Sequence, residues 1–253
     1  MKRIFICMAG ILLFGLSACQ KPCECPVSAE TAVCEAPAAQ DQAADQAVQA
    51  PAAAKVVDET PIVAGTEEIV LPKPVDTEVT LTKALEERRS VRSYDAEKAL
   101  KLQDVSNLLW SAYGVNREDG KRTAPSAMNK QSVTIYALFE KGAYKYDHTN
   151  HKLVRLSEAD IRPLKIAPME LMITSNFGSD NPDADPAKAL DLATIRGIDS
   201  GVVAQNVHLY CAAAGLATVI RMQRQRDEAI VSGLGLSDKD YLIFNMAIGY
   251  EQK

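Results

Sequence analysis

From residue 20 to about residue 73 the chain is written in Ala, Pro, Gln, Glu and Val, with almost no aromatic side chains. Runs such as Ala43-Ala44-Asp45-Gln46-Ala47 and Pro51-Ala52-Ala53-Ala54 cannot bury enough apolar surface to offset the entropy lost on ordering them. The stretch reads as a flexible tether. That leaves residues 75 to 253 as the globular part, the size of one domain.

Ahead of the tether, Lys2 and Arg3 precede an apolar run, residues 4 to 16, too short to span a bilayer comfortably. The run ends in Leu16-Ser17-Ala18-Cys19, which resembles the bacterial lipobox, whose cysteine takes the lipid and becomes the mature N-terminus. Residues 1 to 18 then form a lipoprotein signal peptide and residues 19 to 74 the tether, with an ordinary secretory peptide cut after Ala18 as the alternative. The expected location is a bacterial cell envelope, lipid-anchored through Cys19, with the domain outside the cytoplasm. Gln20, being no aspartate, permits outer-membrane sorting without settling which membrane is used.

Of the six cysteines, Cys7 leaves with the signal peptide and Cys23, Cys25 and Cys34 sit in the tether. Three thiols without a nearby histidine make a poor metal site, so no metal is expected and disulfides or no role are preferred. Cys211 lies in an apolar helical run and reads as a core residue. The net charge of -5 argues against a nucleic-acid partner, which would need a basic surface.

The chemistry-bearing feature is Arg88-Arg89-Ser90-Val91-Arg92, at the end of a short helical stretch with Thr82 as candidate N-cap. Arginine suits forked hydrogen bonds to phosphate and stays charged at any working pH. The competing reading is a solvated charge run in which Glu86 and Glu87 pair locally. Leu102, Val105, Leu108, Leu109 and Ala112 mark one helix face, closed by Gly114. The loop Thr123-Ala124-Pro125-Ser126-Ala127-Met128-Asn129-Lys130-Gln131 brings small and hydrogen-bonding residues together, although it could be a plain connection. Strands are expected at 132–139, 143–147, 152–156, 169–174, 216–222 and 241–250, and helices at 183–197, 198–214 and 225–234. His148 and His151 fall in a hairpin turn and read as exposed. Ile198, Val202, Gln205, Leu209 and Ala213 form a helical stripe suited either to a subunit contact or to burial inside one subunit. Segregated helices and strands without repeated alternation point to α+β.

The arginine stretch, the Pro125-Ser126-Ala127 loop with Asn129 and Gln131, Gln205-Asn206, Gly215-Leu216 and Ala247-Ile248-Gly249-Tyr250 together resemble the nitroreductase-like FMN oxidoreductases. The resemblance covers residues 81 to 250. Leu108-Leu109-Trp110-Ser111-Ala112-Tyr113-Gly114-Val115-Asn116, Arg122 through Ala127, and Tyr144-Lys145-Tyr146-Asp147 look nearest to the azoline-oxidising dehydrogenase branch. It implies a mostly antiparallel sheet flanked by helices, an intertwined homodimer and FMN at the subunit interface. Arg88, Arg89, Ser90 and Arg92 would hold the phosphate, ribityl chain and pyrimidine edge. Pro125, Ser126, Ala127 and Asn129 would reach the same flavin from the other subunit, and the backbone around Ile220 and Arg221 would lie near its N5. No side chain need act as a catalytic nucleophile or base, because the cofactor carries the redox chemistry. The resemblance thus implies an oxidoreductase passing electrons or hydride from a small-molecule donor to a small acceptor in a ping-pong cycle, the alternative being a noncatalytic flavin-binding or scaffold lipoprotein. Asn129-Lys130-Gln131-Ser132 departs from the Asn-Ser-Gln-Pro of many relatives, and the chain ends three residues after Tyr250, where some relatives place further basic residues.

Overall fold

The computed structural model describes residues 59–95, 97–178, 186–223 and 226–252. Every described residue belongs to one compact unit, within residues 51–253. The expectations for Cys19, Cys23, Cys25 and Cys34 lie outside the described residues.

Eight strands form one antiparallel sheet: β1 (Glu68–Val70), β2 (Tyr94–Asp95), β3 (Val133–Phe139), β4 (Gly142–Asp147), β5 (Lys152–Ser157), β6 (Met169–Ser175), β7 (Leu216–Met222) and β8 (Tyr241–Glu251). Their order is β1-β5-β4-β3-β6-β8-β2, with β7 also paired to β8. Four helices cover it: α1 (Leu81–Glu87), α2 (Leu102–Tyr113), α3 (Pro186–Ala214) and α4 (Glu228–Leu234). The α+β expectation holds.

Both sheet faces are covered around β3 and β6, which is why those strands read as unbroken apolar runs. Val133, Ile135, Ala137, Phe139, Met169, Leu171 and Ile173 pack with Leu108 and Leu109 of α2 and Val203 and Val207 of α3. The alternate residues Tyr136, Leu138 and Met172 turn the other way, onto Ile230 and Leu234 of α4.

The structure corrects several sequence expectations. The domain begins before Val75, because residues 59–74 are stitched into it. β1 pairs with β5, Ile62 N donates to the Leu100 carbonyl at 2.8 Å, and the buried Tyr144 hydroxyl accepts from Gly65 N at 2.7 Å. Pairing with partners some eighty residues away fixes this stretch despite its tether-like composition. Thr80, not Thr82, caps α1, its hydroxyl accepting from Lys83 N at 3.2 Å. The helices expected at 183–197 and 198–214 are one, Pro186–Ala214, since Gly197 leaves the hydrogen-bonding ladder unbroken. Gly114 ends α2 with ordinary backbone at φ −71°, so its value lies in space: a Cβ there would meet the Trp110 ring at 2.3 Å. Gly215 does use the left-handed region, at φ +68°, to turn α3 into β7.

The hairpin histidines are half-buried, not exposed. Ser106 Oγ donates to the Pro72 carbonyl at 2.6 Å and lies 2.7 Å from His151 Nε2. With the serine proton committed, His151 Nε2 is the donor to Ser106, and His151 Nδ1 accepts from the Tyr146 hydroxyl at 2.9 Å. The ring thereby pins the segment after β1 against α2. Burial holds His151 below the usual histidine range, and burial together with the Arg122 guanidinium does the same for His148. Both groups therefore bind protons more readily in the unfolded chain. Stability is fully present above the unfolded value of about 6.5 and is lost as pH falls through and below it. The thermal midpoint should drop between pH 7.5 and 5.5, and His151→Gln should flatten that slope. An unchanged midpoint across this window would contradict the assignment.

Candidate functional site

Two pockets hold half of the ten residues predicted for the site: Arg88 and Arg89 in one, and Pro125, Ser126 and Asn129 in the other. The first, of about 390 Å³, lies between the end of α1, the last turns of α3 and the start of β7. Arg88 and Arg89 enter it, opposite His208, Cys211 and Thr218. Arg89 is exposed and donates to Glu251 at 2.6 Å, an interaction of little energetic weight at the surface. Arg88 is half-buried. His208 and Thr218 are 6% and 2% exposed, and His208 Nδ1 and Thr218 Oγ1 have no hydrogen-bond partner. Burial and the nearby Arg88 charge both hold His208 below the usual histidine range, so the ring is neutral at pH 7. Burial drives the Cys211 thiol far upward, which rules it out as a ready nucleophile.

Ser90 and Arg92 are exposed and do not line this pocket. Arg92 and Arg221 stand close enough to the Tyr94 phenol to oppose the burial that pushes it up to about 12. Ile220 and Arg221 sit on the exposed last stretch of β7, whose strand partner is β8. On the far side, Val91 N donates to the Thr218 carbonyl at 2.9 Å.

The second pocket, about 240 Å³, is lined by Pro125, Ser126, Asn129 and Gln131 with the cations Arg117, Lys121 and Arg122. Its loop is held by a carboxylate that the sequence reading missed. Asp199 of α3, 4% exposed, accepts from Ser126 Oγ at 3.1 Å and from Ala127 N at 3.0 Å. Ser126 Oγ also accepts from Gln131 N at 2.8 Å. Met128, Asn129 and Gln131 all adopt left-handed backbone, at φ 52°, 53° and 50°. Such conformations cost on the order of 1 kcal/mol or more each for non-glycine residues, and persist where surrounding bonds over-determine them. Behind the loop, the buried Arg122 guanidinium stacks 4.2 Å over the Tyr113 ring and donates to His148 Nε2 at 2.7 Å.

The two pockets share no residue within one chain. About two and a half turns separate Asp199 from His208, so they stand on opposite flanks of α3, on the order of 13 Å apart along its axis. Between them, on the outward side, runs the stripe Ile198, Val202, Gln205, Leu209 and Ala213. Ile198 is 60% exposed, and Val202, Leu209 and Ala213 are half-buried. The inward face is instead Val203, Ala204, Val207, Tyr210 and Cys211. Within one subunit the stripe is thus only partly buried, with Val202 packed at the edge of the core. A groove of about 1020 Å³ follows its edge, lined by Leu81, Trp110, Asn206, Leu209 and Ala213, and contains none of the residues predicted for the site.

A sequence model of the nitroreductase family matches residues 85–250. The chain belongs to the nitroreductase family. The matched stretch holds both pockets' predicted residues together with Asp199 and His208. A protein of Methanocaldococcus jannaschii that carries the nitroreductase name is 32% identical over 164 residues, 56% of this chain and 78% of its own. A crystal structure from Ralstonia eutropha, also named for the nitroreductases, superposes with TM-score 0.66 at 31% identity, covering 77% of this chain and 95% of that one. The Escherichia coli microcin synthetase McbBCD complex shares the fold at TM-score 0.54 and 13% identity, covering 73% and 79% of the two chains. Nitroreductase-family membership makes the chain an oxidoreductase on a nitroreductase-like fold.

Asp199 and His208 left only a faint signal in the sequence: two polar residues among several, with Ser200, Gln205 and Asn206, in the later part of a long helix. Their roles rest on which flank of α3 each occupies, and that needed the helix docked.

Proposed function

We propose that the chain is an FMN-dependent oxidoreductase, working as a homodimer and lipid-anchored through Cys19. The observation that carries the cofactor is the 390 Å³ pocket: two guanidiniums at its mouth and two buried polar atoms, His208 Nδ1 and Thr218 Oγ1, without partners. Buried polar groups are rarely left unsatisfied, so such a set fits a phosphorylated, hydroxyl-rich ligand. Bound FMN would supply hydride and electron transfer between a donor and a small acceptor, taken in turn at one site. The protein's part is to bind and orient. Arg88 and Arg89 meet the anionic end, Arg92 and Arg221 favour negative charge beside β7, and the Pro125–Asn129 loop forms a wall.

The geometry of α3 supports the homodimer. Its two half-sites face opposite flanks with an apolar stripe between them, so packing stripe against stripe about a twofold axis would bring one copy's loop toward the other's arginine pocket. The stretches Leu108 through Asn116, Arg122 through Ala127 and Tyr144 through Asp147 are the ground for placing the chain nearest the azoline-oxidising branch. Leu16-Ser17-Ala18-Cys19 is the ground for the anchor and for a domain outside the cytoplasm.

The test is direct. The purified full chain should be yellow, or become so with added FMN, and heat should release flavin with its phosphate intact. A colourless protein that also refuses added FMN would overturn the cofactor assignment.

A further inference from the structure

We propose that His208 is a phosphate ligand whose ring takes up a proton when a phosphate monoester enters the Arg88–Arg89 pocket. The proposal rests on the FMN reading only for the identity of that monoester, the phosphate end of the flavin. The pocket itself belongs to this chain. Histidine is the one side chain on its wall whose ordinary titration lies near neutrality, and it is more than nine-tenths buried with Nδ1 unpartnered.

The charges facing the ring decide the direction of coupling. Arg88 and Arg89 are positive, Glu251 engages Arg89, Glu86 and Glu87 also line the pocket but are engaged by Lys83, and Cys211 stays a thiol. In the empty pocket burial and the Arg88 charge keep the ring neutral. A phosphate monoester brings a charge of about −1.5 to −2 near pH 7. That anion stabilises an imidazolium beside it and reverses the balance. Binding then draws in a proton, and affinity strengthens as pH falls through the window between the free and bound values of His208. The limit for one linked proton is about tenfold per pH unit. Below about pH 6 the phosphate takes its own second proton and the gain levels off. Thr218 Oγ1, also unpartnered and buried, completes the set with a hydroxyl that can donate to a phosphate oxygen or accept from a ribityl hydroxyl.

The experiment is calorimetric titration of the full chain, freed of flavin, at pH 7 in two buffers of different ionisation heat. The probes are FMN, riboflavin and phenyl phosphate. Expected is uptake of a substantial fraction of a proton per site for FMN and phenyl phosphate, none for riboflavin, and a several-fold tighter FMN dissociation constant at pH 6.5 than at pH 8. His208→Gln and His208→Asn, checked for native circular dichroism, should abolish the uptake and flatten the pH dependence. Asp238→Asn, at an exposed position outside the pocket, should keep both. FMN binding by the wild type without proton uptake overturns the role of His208 and leaves the flavin reading standing. Uptake that persists in folded His208 variants does the same. Phenyl phosphate binding with uptake, while neither flavin binds, upholds the phosphate site and overturns the flavin reading.

Discussion

Val202→Arg and Leu209→Arg, each tested alone, are expected to yield a folded monomer that no longer retains FMN. Both residues lie on the outward stripe of α3 and are only half-buried; Leu209→Arg should keep the thermal unfolding profile, while Val202, which packs at the edge of the core, should lower the midpoint modestly when replaced and still leave a folded subunit. In a twofold interface built on this stripe, each new guanidinium would face apolar surface and its own symmetry mate. Desolvating like charges against each other costs several kcal/mol, at least a hundredfold in dimer affinity. Flavin held between subunits stabilises the dimer by mass action, so the two losses should occur together. Sedimentation velocity with simultaneous detection at flavin and protein wavelengths reads both. If both variants sediment as flavin-loaded dimers, the stripe is not the interface.

Asp199→Ala is expected to release the 126–131 loop and with it most of the flavin affinity, while the sheet survives. The carboxylate receives the Ser126 hydroxyl and the Ala127 amide. Bonds to a charged acceptor contribute about 1.5–3 kcal/mol each, enough to offset three consecutive or near-consecutive left-handed residues. Without that acceptor Met128, Asn129 and Gln131 should relax to ordinary backbone. Asp199→Asn keeps one acceptor oxygen and should fall between alanine and wild type. Hydrogen exchange at the Ala127, Asn129 and Lys130 amides, beside an FMN dissociation constant, gives the measurement. Wild-type protection at Ala127 in the alanine variant would show that the carboxylate does not hold the loop.

Helical periodicity was enough to find α2, and apolar runs to find β3, β6 and β8. It could not find β1, three residues held by pairing with β5 and by Ile69 in the core, with Gly65 and Thr66 just before it bonded to the Tyr144 hydroxyl. Composition measures how much a segment can bury by itself, not whether a distant strand will accept it. The N-cap moved by two residues because Thr80 and Thr82 are chemically alike, and only the docked backbone selects one. For the site, the arginine cluster was legible from residue type alone. Its division into two pockets was not, since that depends on which flank of α3 faces which loop.

The sheet order bears on when this protein can fold. β8 follows every other strand along the chain, yet it is the strand that joins β6, β7 and β2. Until it arrives, β7 and β2 have no sheet to join, and Leu171 and Ile173 on β6 lack Met246 and Ile248 beside them. The β2, β7 and β8 part of the sheet must therefore wait for pairings of very long sequence separation, such as Tyr94 with Glu251, which makes its closure slow. A keystone strand made after the strands it joins leaves the sheet open along β6 until synthesis reaches it.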